Sequence, residues 1–183
     1  IQYQDRYIDN QIDIPAQSTD IHGIDNELIK EKGESPELVW KDFFTDLENS
    51  RYVIGHNIDF DINMIESELK SQGHFNPFAG KFKFCTMRYG RRVCRIPNEA
   101  GNGTKYPSLS ELYQHCFSES ISATQLRGLH DAMKDASYTA EIFFKLMEQS
   151  AALLQYARRI PYEFPRVANE EQRRIRPFLL KVA

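Results

Sequence analysis

Gly55-His56-Asn57-Ile58-Asp59-Phe60-Asp61 and, further on, His130-Asp131-Ala132-Met133-Lys134-Asp135-Ala136 decide the reading of this chain. Each stretch sets a carboxylate at the start of an amphipathic helix. Behind the first, Ile58, Ile62, Ile65 and Leu69 recur at helical spacing; behind the second, Ala132, Ala136, Ala140, Phe143 and Met147 share a face. Two separated carboxylates can share a divalent cation, and a nearby histidine can take a proton from water. Metal-dependent phosphodiester hydrolysis needs that combination. His130 and Asp135 lie five positions apart, about 140° beyond a full helical turn. They can converge only if His130 sits in a loop ahead of the helix with Asp131 as its N-cap. Taken singly, Asp61 also reads as a carboxylate at the positive end of a helix dipole. Asp59, two positions away, competes with it, and His130 alone would pass for a surface histidine.

Outward from these stretches, the chain alternates strands and helices. Residues 1–14 alternate loosely and predict one or two edge strands. Ser35-Pro36 predicts a helix start, with a serine cap and proline at the first helical position. Val39, Phe43 and Leu47, with Trp40 and Phe44, carry its apolar stripe to about Ser50. Arg51–Ile54 reads as a short strand ended by Gly55, and the helix behind it stops at Gly73. The stretch 74–107 predicts a strand near Phe82–Thr86 and then a long loop. Ser108 or Ser110 opens a helix with Leu109, Leu112 and Cys116, and the helix from Asp131 is expected to reach about Arg159. This pattern predicts an α/β domain with helices packed on a sheet, over residues 1–157, and a basic, proline-containing extension over 158–183.

Composition narrows the class. With 183 residues, 41% of them hydrophobic, the chain can bury one sizeable core. No apolar run is long enough to cross a membrane as a helix, and neither a signal nor a transit peptide is visible. Cys85, Cys94 and Cys116 show no paired spacing and read as free thiols, so a cytoplasmic location is expected. The net charge of −3 conceals segregation: residues 1–80 hold 16 acids against 6 bases, whereas 81–95 hold six bases and no acid. A basic segment beside an acidic pocket suits a polyanion, and Phe82, Phe84 and Tyr89 interleave it as stacking groups could. Phe82 and Phe84 alternate as strand residues do, which favours core packing for those two.

Together GHNIDFDINMI (55–65) and HDAMKDASYTAEI (130–142) resemble the second and third motifs of the DEDDh 3′→5′ exonucleases, the group that includes epsilon-type proofreading subunits of bacterial replicative DNA polymerases. Ile21-His22-Gly23-Ile24 resembles that family's short HGI loop, and Tyr106–Leu112 the helix opening before its third motif. The resemblance spans about residues 3–150, in order and at the right spacing. It implies a ribonuclease H-like fold, a mixed sheet flanked by helices, and removal of nucleotides from 3′ ends with two divalent metal ions, Mg²⁺ or Mn²⁺. It makes Asp61 and Asp135 metal ligands and His130 the general base. It sets His22, Gly23, Ile24, Asn57 and Phe60 near the terminal nucleotide. His22 could equally be a turn histidine and Asn57 a helix cap. The implied partner is a single-stranded 3′ end, DNA sooner than RNA, with a polymerase or repair protein as a further possibility; RNA trimming on the same fold is a weaker alternative.

The family's first motif, an Asp-x-Glu on the first strand, is not found on an apolar strand ahead of Asp61; Asp5, Asp9 and Asp13 lack the partner glutamate. Two carboxylates are too few for two metals. The expectation is therefore either that upstream residues carry the motif and the first strand, or that the chain is a catalytically inactive module binding nucleic acid or a polymerase. The abrupt, strand-like opening at Ile1 favours the former.

Overall fold

The computed structural model describes residues 4–71, 76–117 and 132–161. A three-stranded sheet forms its middle. β3 (Tyr52–Gly55) runs parallel to β4 (Phe82–Cys85), with Tyr52 opposite Phe82 and Gly55 opposite Cys85; β5 (Arg158–Arg159) pairs antiparallel to β4. The sheet is covered on both faces because its strand residues alternate. Val53 and Cys85 pack on a cluster of Trp40, Leu47, Ile58, Ile62, Ile65, Leu69, Phe78 and Ile160. Ile54 and Phe84 face the other way, onto Leu112, Cys116, Ile142, Phe143, Leu146 and Leu153. The first cluster is supplied by α3 (Pro36–Asn49) and α4 (Ile58–Ser71), the second by α6 (Leu109–Phe117) and α7 (Ala132–Gln149).

The caps explain where these helices begin. Ser35 Oγ accepts from Leu38 N, with Pro36 at the first helical position of α3. At α6, Ser108 is the cap: its Oγ accepts from Glu111 N at 3.2 Å, and Glu111 returns a carboxylate oxygen to Ser108 N at 2.8 Å, a reciprocal capping box. All four predicted apolar positions of α4 are buried, Leu69 completely.

A second, two-stranded sheet pairs β1 (Tyr7–Ile8) in parallel with β2 (Gly33–Glu34), flanked by α1 (Ala16–His22) and α2 (Asn26–Lys32). Arg6 fastens it to the body. Its guanidinium meets both carboxylate oxygens of Glu34, at 2.8 and 2.5 Å, and donates to Asp42 of α3 at 2.5 Å.

Three expectations are corrected. The long loop after β4 contains a helix, α5 (Thr86–Cys94). Its apolar face is narrow, Tyr89 and Val93 one turn apart, and Gly90 and three arginines hide it from a periodicity reading. Helix α7 stops at Gln149 rather than near Arg159. Ala151–Ala157 are competent helix formers, but Leu153 is drawn fully into the core through a 3₁₀ turn (Leu153–Tyr156), and Arg158–Arg159 gain a ladder on β4. Tertiary contacts here override local propensity. Residues 15–33, unassigned by the sequence pattern apart from the HGI loop, form α1 and α2. No helix among the described residues is long and apolar enough to cross a membrane.

Candidate functional site at the carboxyl end of strands three and four

Asp61 is delivered by the β3–α4 turn. Gly55 ends the strand, and a Cβ there would come within 2.7 Å of Ile58 Cδ1 and 3.1 Å of its Cβ, so the glycine gives the helix room to start this close. Asn57 takes a left-handed backbone (φ 67°), and its carbonyl accepts from Phe60 N at 2.8 Å. Asp59 and Asp61 both fall in the first turn of α4. The structure separates the two competitors. Asp59 is committed to Lys83 Nζ at 2.5 Å and Arg88 Nη2 at 2.8 Å. Partial burial would raise its pKa, but the two cations outweigh that and hold the carboxyl below the usual range. Asp59 is thus a structural carboxylate. Phe60, beside Asp61, is 58% exposed, which is unusual for a phenylalanine at the start of a core helix.

Asp135 lies in the first turn of α7, and its Oδ1 is buried. Its helix packs on β3, and its negative charge acts on His56, the residue directly after that strand. Two helices packed on β3 therefore each carry a carboxylate in their first turn. α5 begins at the carboxyl end of β4. In open α/β sheets ligands bind outside the carboxyl ends of the strands.

His56, to which the motif alone assigns no role, links the end of β3 to two neighbouring segments. Its Nδ1 lies 3.0 Å from Thr86 Oγ1 and its Nε2 3.2 Å from the carbonyl oxygen of Pro107. A carbonyl only accepts, so Nε2 carries the proton, while the single Thr86 hydroxyl hydrogen is in reach of both His56 Nδ1 and the Gly55 carbonyl, the latter at 3.3 Å. Burial pushes the imidazole pKa down, against the opposing pull of the Pro107 carbonyl and Asp135, and the ring is held neutral. The signal that reveals His56 is strand register: Gly55 opposite Cys85 puts the next residues, His56 and Thr86, side by side.

The remaining expected residues divide as follows. His22 ends α1 and Gly23 is its left-handed cap (φ 73°); His22 Nδ1 accepts from Ile24 N at 3.0 Å, and Thr19 Oγ1 donates to the Ile24 carbonyl. The HGI loop is therefore a hydrogen-bonded helix stop. His130 lies outside the described residues. Two Asp-x-Glu triplets, Asp25–Glu27 and Asp46–Glu48, precede Asp61, and neither is on a strand. Asp25 caps α2, accepting from Leu28 N at 2.7 Å ahead of exposed Glu27, and Asp46 and Glu48 are exposed on α3. The carboxylates of Asp61 and Asp135 are hard oxygen donors of the kind magnesium takes. In number they fall short: among the described residues no three His, Cys, Asp or Glu side chains form a metal-sized group.

The basic segment 81–95 also divides. Lys81 Nζ donates to the Ser50 carbonyl, Lys83 and Arg88 hold Asp59, and Phe84 is buried, so these members belong to the fold.

Comparison with known proteins gives a consistent result. Residues 2–143 match the model of the exonuclease family. The DNA polymerase III subunit epsilon of Aquifex aeolicus is 30% identical over 141 residues, covering 74% of this chain and 59% of that protein. The Rickettsia conorii epsilon subunit is 29% identical over 141 residues, covering 77% and 56%. A PolC-type DNA polymerase III from Caldanaerobacter subterraneus is 25% identical over 143 residues, 78% of this chain but 9% of that protein. The chain spans somewhat over half the length of the two epsilon subunits.

Proposed function

This chain belongs to the exonuclease family, in its DnaQ-like branch with a ribonuclease H-like fold, and we propose that it hydrolyses nucleotides from the 3′ end of a DNA strand. The observation that supports this reading is that Asp61 and Asp135 each lie in the first turn of a helix that packs on β3, with the charge of Asp135 acting on His56 just after that strand. The relatives are DNA polymerase III subunits, which favours DNA over RNA and a polymerase as partner.

In this reading Asp61 and Asp135 hold divalent ions, Mg²⁺ or Mn²⁺, together with further carboxylates of the Asp-x-Glu type. When bound, two such ions supply positive charge to the attacking and leaving oxygens. His130 takes the proton from the attacking water, whose oxygen bonds to phosphorus as the P–O3′ bond breaks. A nucleoside 5′-monophosphate leaves, and the strand keeps a new 3′-hydroxyl. The rigid His22-Gly23-Ile24 turn, Asn57 and exposed Phe60 border the terminal nucleotide, Phe60 offering a ring face to the base. Neutral His56 is a positioning residue: it ties the end of β3 to α5 and to the Pro107 loop.

One observation favours a second reading. The described donors alone are too few for two ions, as suits an inactive module that binds nucleic acid or a polymerase. A 5′-labelled single strand incubated with the natural full-length protein separates the two. The enzyme reading predicts a ladder that EDTA stops and Mn²⁺ restores. It also predicts a loss of about 10²–10⁴-fold on His130→Ala and abolition by Asp135→Ala. Binding without hydrolysis at any protein concentration would establish the inactive module instead.

A further inference from the structure

Helix α5 turns one basic face outward. From Arg88, positions 91 and 92 fall within an arc of about 100° on the helix surface, and Arg95 caps its end. Arg88 is drawn back to Asp59, but Arg91 and Arg92 are exposed and have no ion pair among the described residues. Each is instead laid on a tyrosine ring. The Arg91 guanidinium carbon sits 5.0 Å from the centre of Tyr106, and that of Arg92 4.7 Å from the centre of Tyr156. Both tyrosines remain substantially exposed, 45% and 39%. Arg91 Nε donates to Thr104 Oγ1 at 3.1 Å, and Tyr156 is buttressed by Tyr89, ring centres 5.2 Å apart.

The stacking has a chemical consequence. A guanidinium lying on a ring is held by its flat face, while its N–H donors point along the edge, where two of them can grip one phosphate. The side-chain entropy that a free arginine would lose on binding is already lost. The free flanks of Tyr106 and Tyr156 can also take a base by stacking. The position is continuous with the site. Tyr106 precedes Pro107, whose carbonyl holds His56, and Gly90 lies so close under Pro107 that a Cβ would meet its ring at 2.8 Å.

We propose that the Arg91–Tyr106 and Arg92–Tyr156 stacks are a phosphate-binding track for the single strand behind its 3′ end, two phosphates long. This deepens the nucleic-acid reading above and rests on it. The track is tested by fluorescence anisotropy of a fluorescein-labelled single-stranded DNA on the natural full-length protein across a salt series. Arg91→Gln/Arg92→Gln keeps much of each stem and removes the charge. It is expected to weaken binding at least tenfold at low salt and to flatten the salt dependence by about 1.4 in log–log slope, since each phosphate contact on a single strand contributes about 0.7. Tyr106→Ala/Tyr156→Ala should weaken binding with the slope kept. Lys30→Gln/Lys32→Gln, which removes the same charge from α2, should bind as the wild type. Unchanged affinity and slope in the arginine variant, or equal weakening in the lysine variant, would overturn the track. Hydrolysis of the p-nitrophenyl ester of thymidine 5′-monophosphate by the wild type tests the exonuclease reading separately from the track. Absence of that hydrolysis in the wild type would count against the exonuclease reading and leave the binding result to judge the track.

Discussion

His56, half-buried, and Glu66, buried, show how single titratable groups set the behaviour of this fold. Removing the imidazole in His56→Ala takes the donor from the Pro107 carbonyl and leaves the Thr86 hydroxyl with the Gly55 carbonyl, at a cost of about 1–3 kcal/mol. The cost should depend on pH. The folded state lowers the pKa of His56 below its ordinary 6.5, so the neutral ring's contribution is whole above that value and declines as acid protonates the unfolded chain first. Urea midpoints should therefore show a larger gap between wild type and variant at pH 8 than at pH 5.5. Glu66 has the opposite sign. It is 4% exposed, accepts from Asn76 Nδ2 at 2.7 Å, and burial raises its pKa. Its stabilising effect is complete below its ordinary 4.5 and is lost as pH rises through the folded value. Glu66→Gln keeps an acceptor for Asn76 and cannot ionise, so it should gain on the wild type from pH 4.5 upward; a gap that closes with rising pH would contradict this. Neither role was legible in the sequence. A histidine after a strand or a glutamate inside a helix acquires its meaning only from the residues that register and packing bring beside it.

Among the elements, α5 was the hardest to read and matters most to the site. Its nine residues present one apolar pair, and Gly90 looks like a helix breaker. The glycine is required by close approach: a Cβ would meet Pro107 Cγ at 2.8 Å and both Leu112 methyls near 3 Å. Gly90→Ala therefore sets a helix-propensity gain of about 1 kcal/mol against overpacking of about 1–3 kcal/mol. Net destabilisation by thermal melting is expected, with the Pro107 carbonyl displaced from His56; an unchanged or raised melting temperature would show that the loop yields freely. By contrast α3, α4 and α6 were legible, because Ser35-Pro36, the Ile58–Leu69 stripe and the Ser108–Glu111 box act within a few residues. The end of α7 was not, since what stops it is burial of Leu153 and pairing of Arg158 and Arg159 with β4.

At the scale of the molecule, the sequence and the structure agree on a sheet covered by helices, with acids and bases segregated along the chain. The charge pattern needed the structure to be understood. Half of the basic segment holds the acidic α4 terminus and the strand ends, and only the outward face of α5 is left for a ligand. The candidate site was legible in type, as two carboxylates at helix starts, because local motifs carry those positions; its completeness was not, because a set of donors is assembled by packing and among the described residues no third donor joins them. The central claim is removal of nucleotides from a 3′ terminus, and end-specific labelling of one single strand tests it most directly on the natural full-length protein. With Mn²⁺ present, a 3′-label should appear as mononucleotide at the first turnover, while a 5′-label shortens stepwise and is released last. Early release of the 5′-label, internal cleavage, or an intact strand under these conditions would contradict the account.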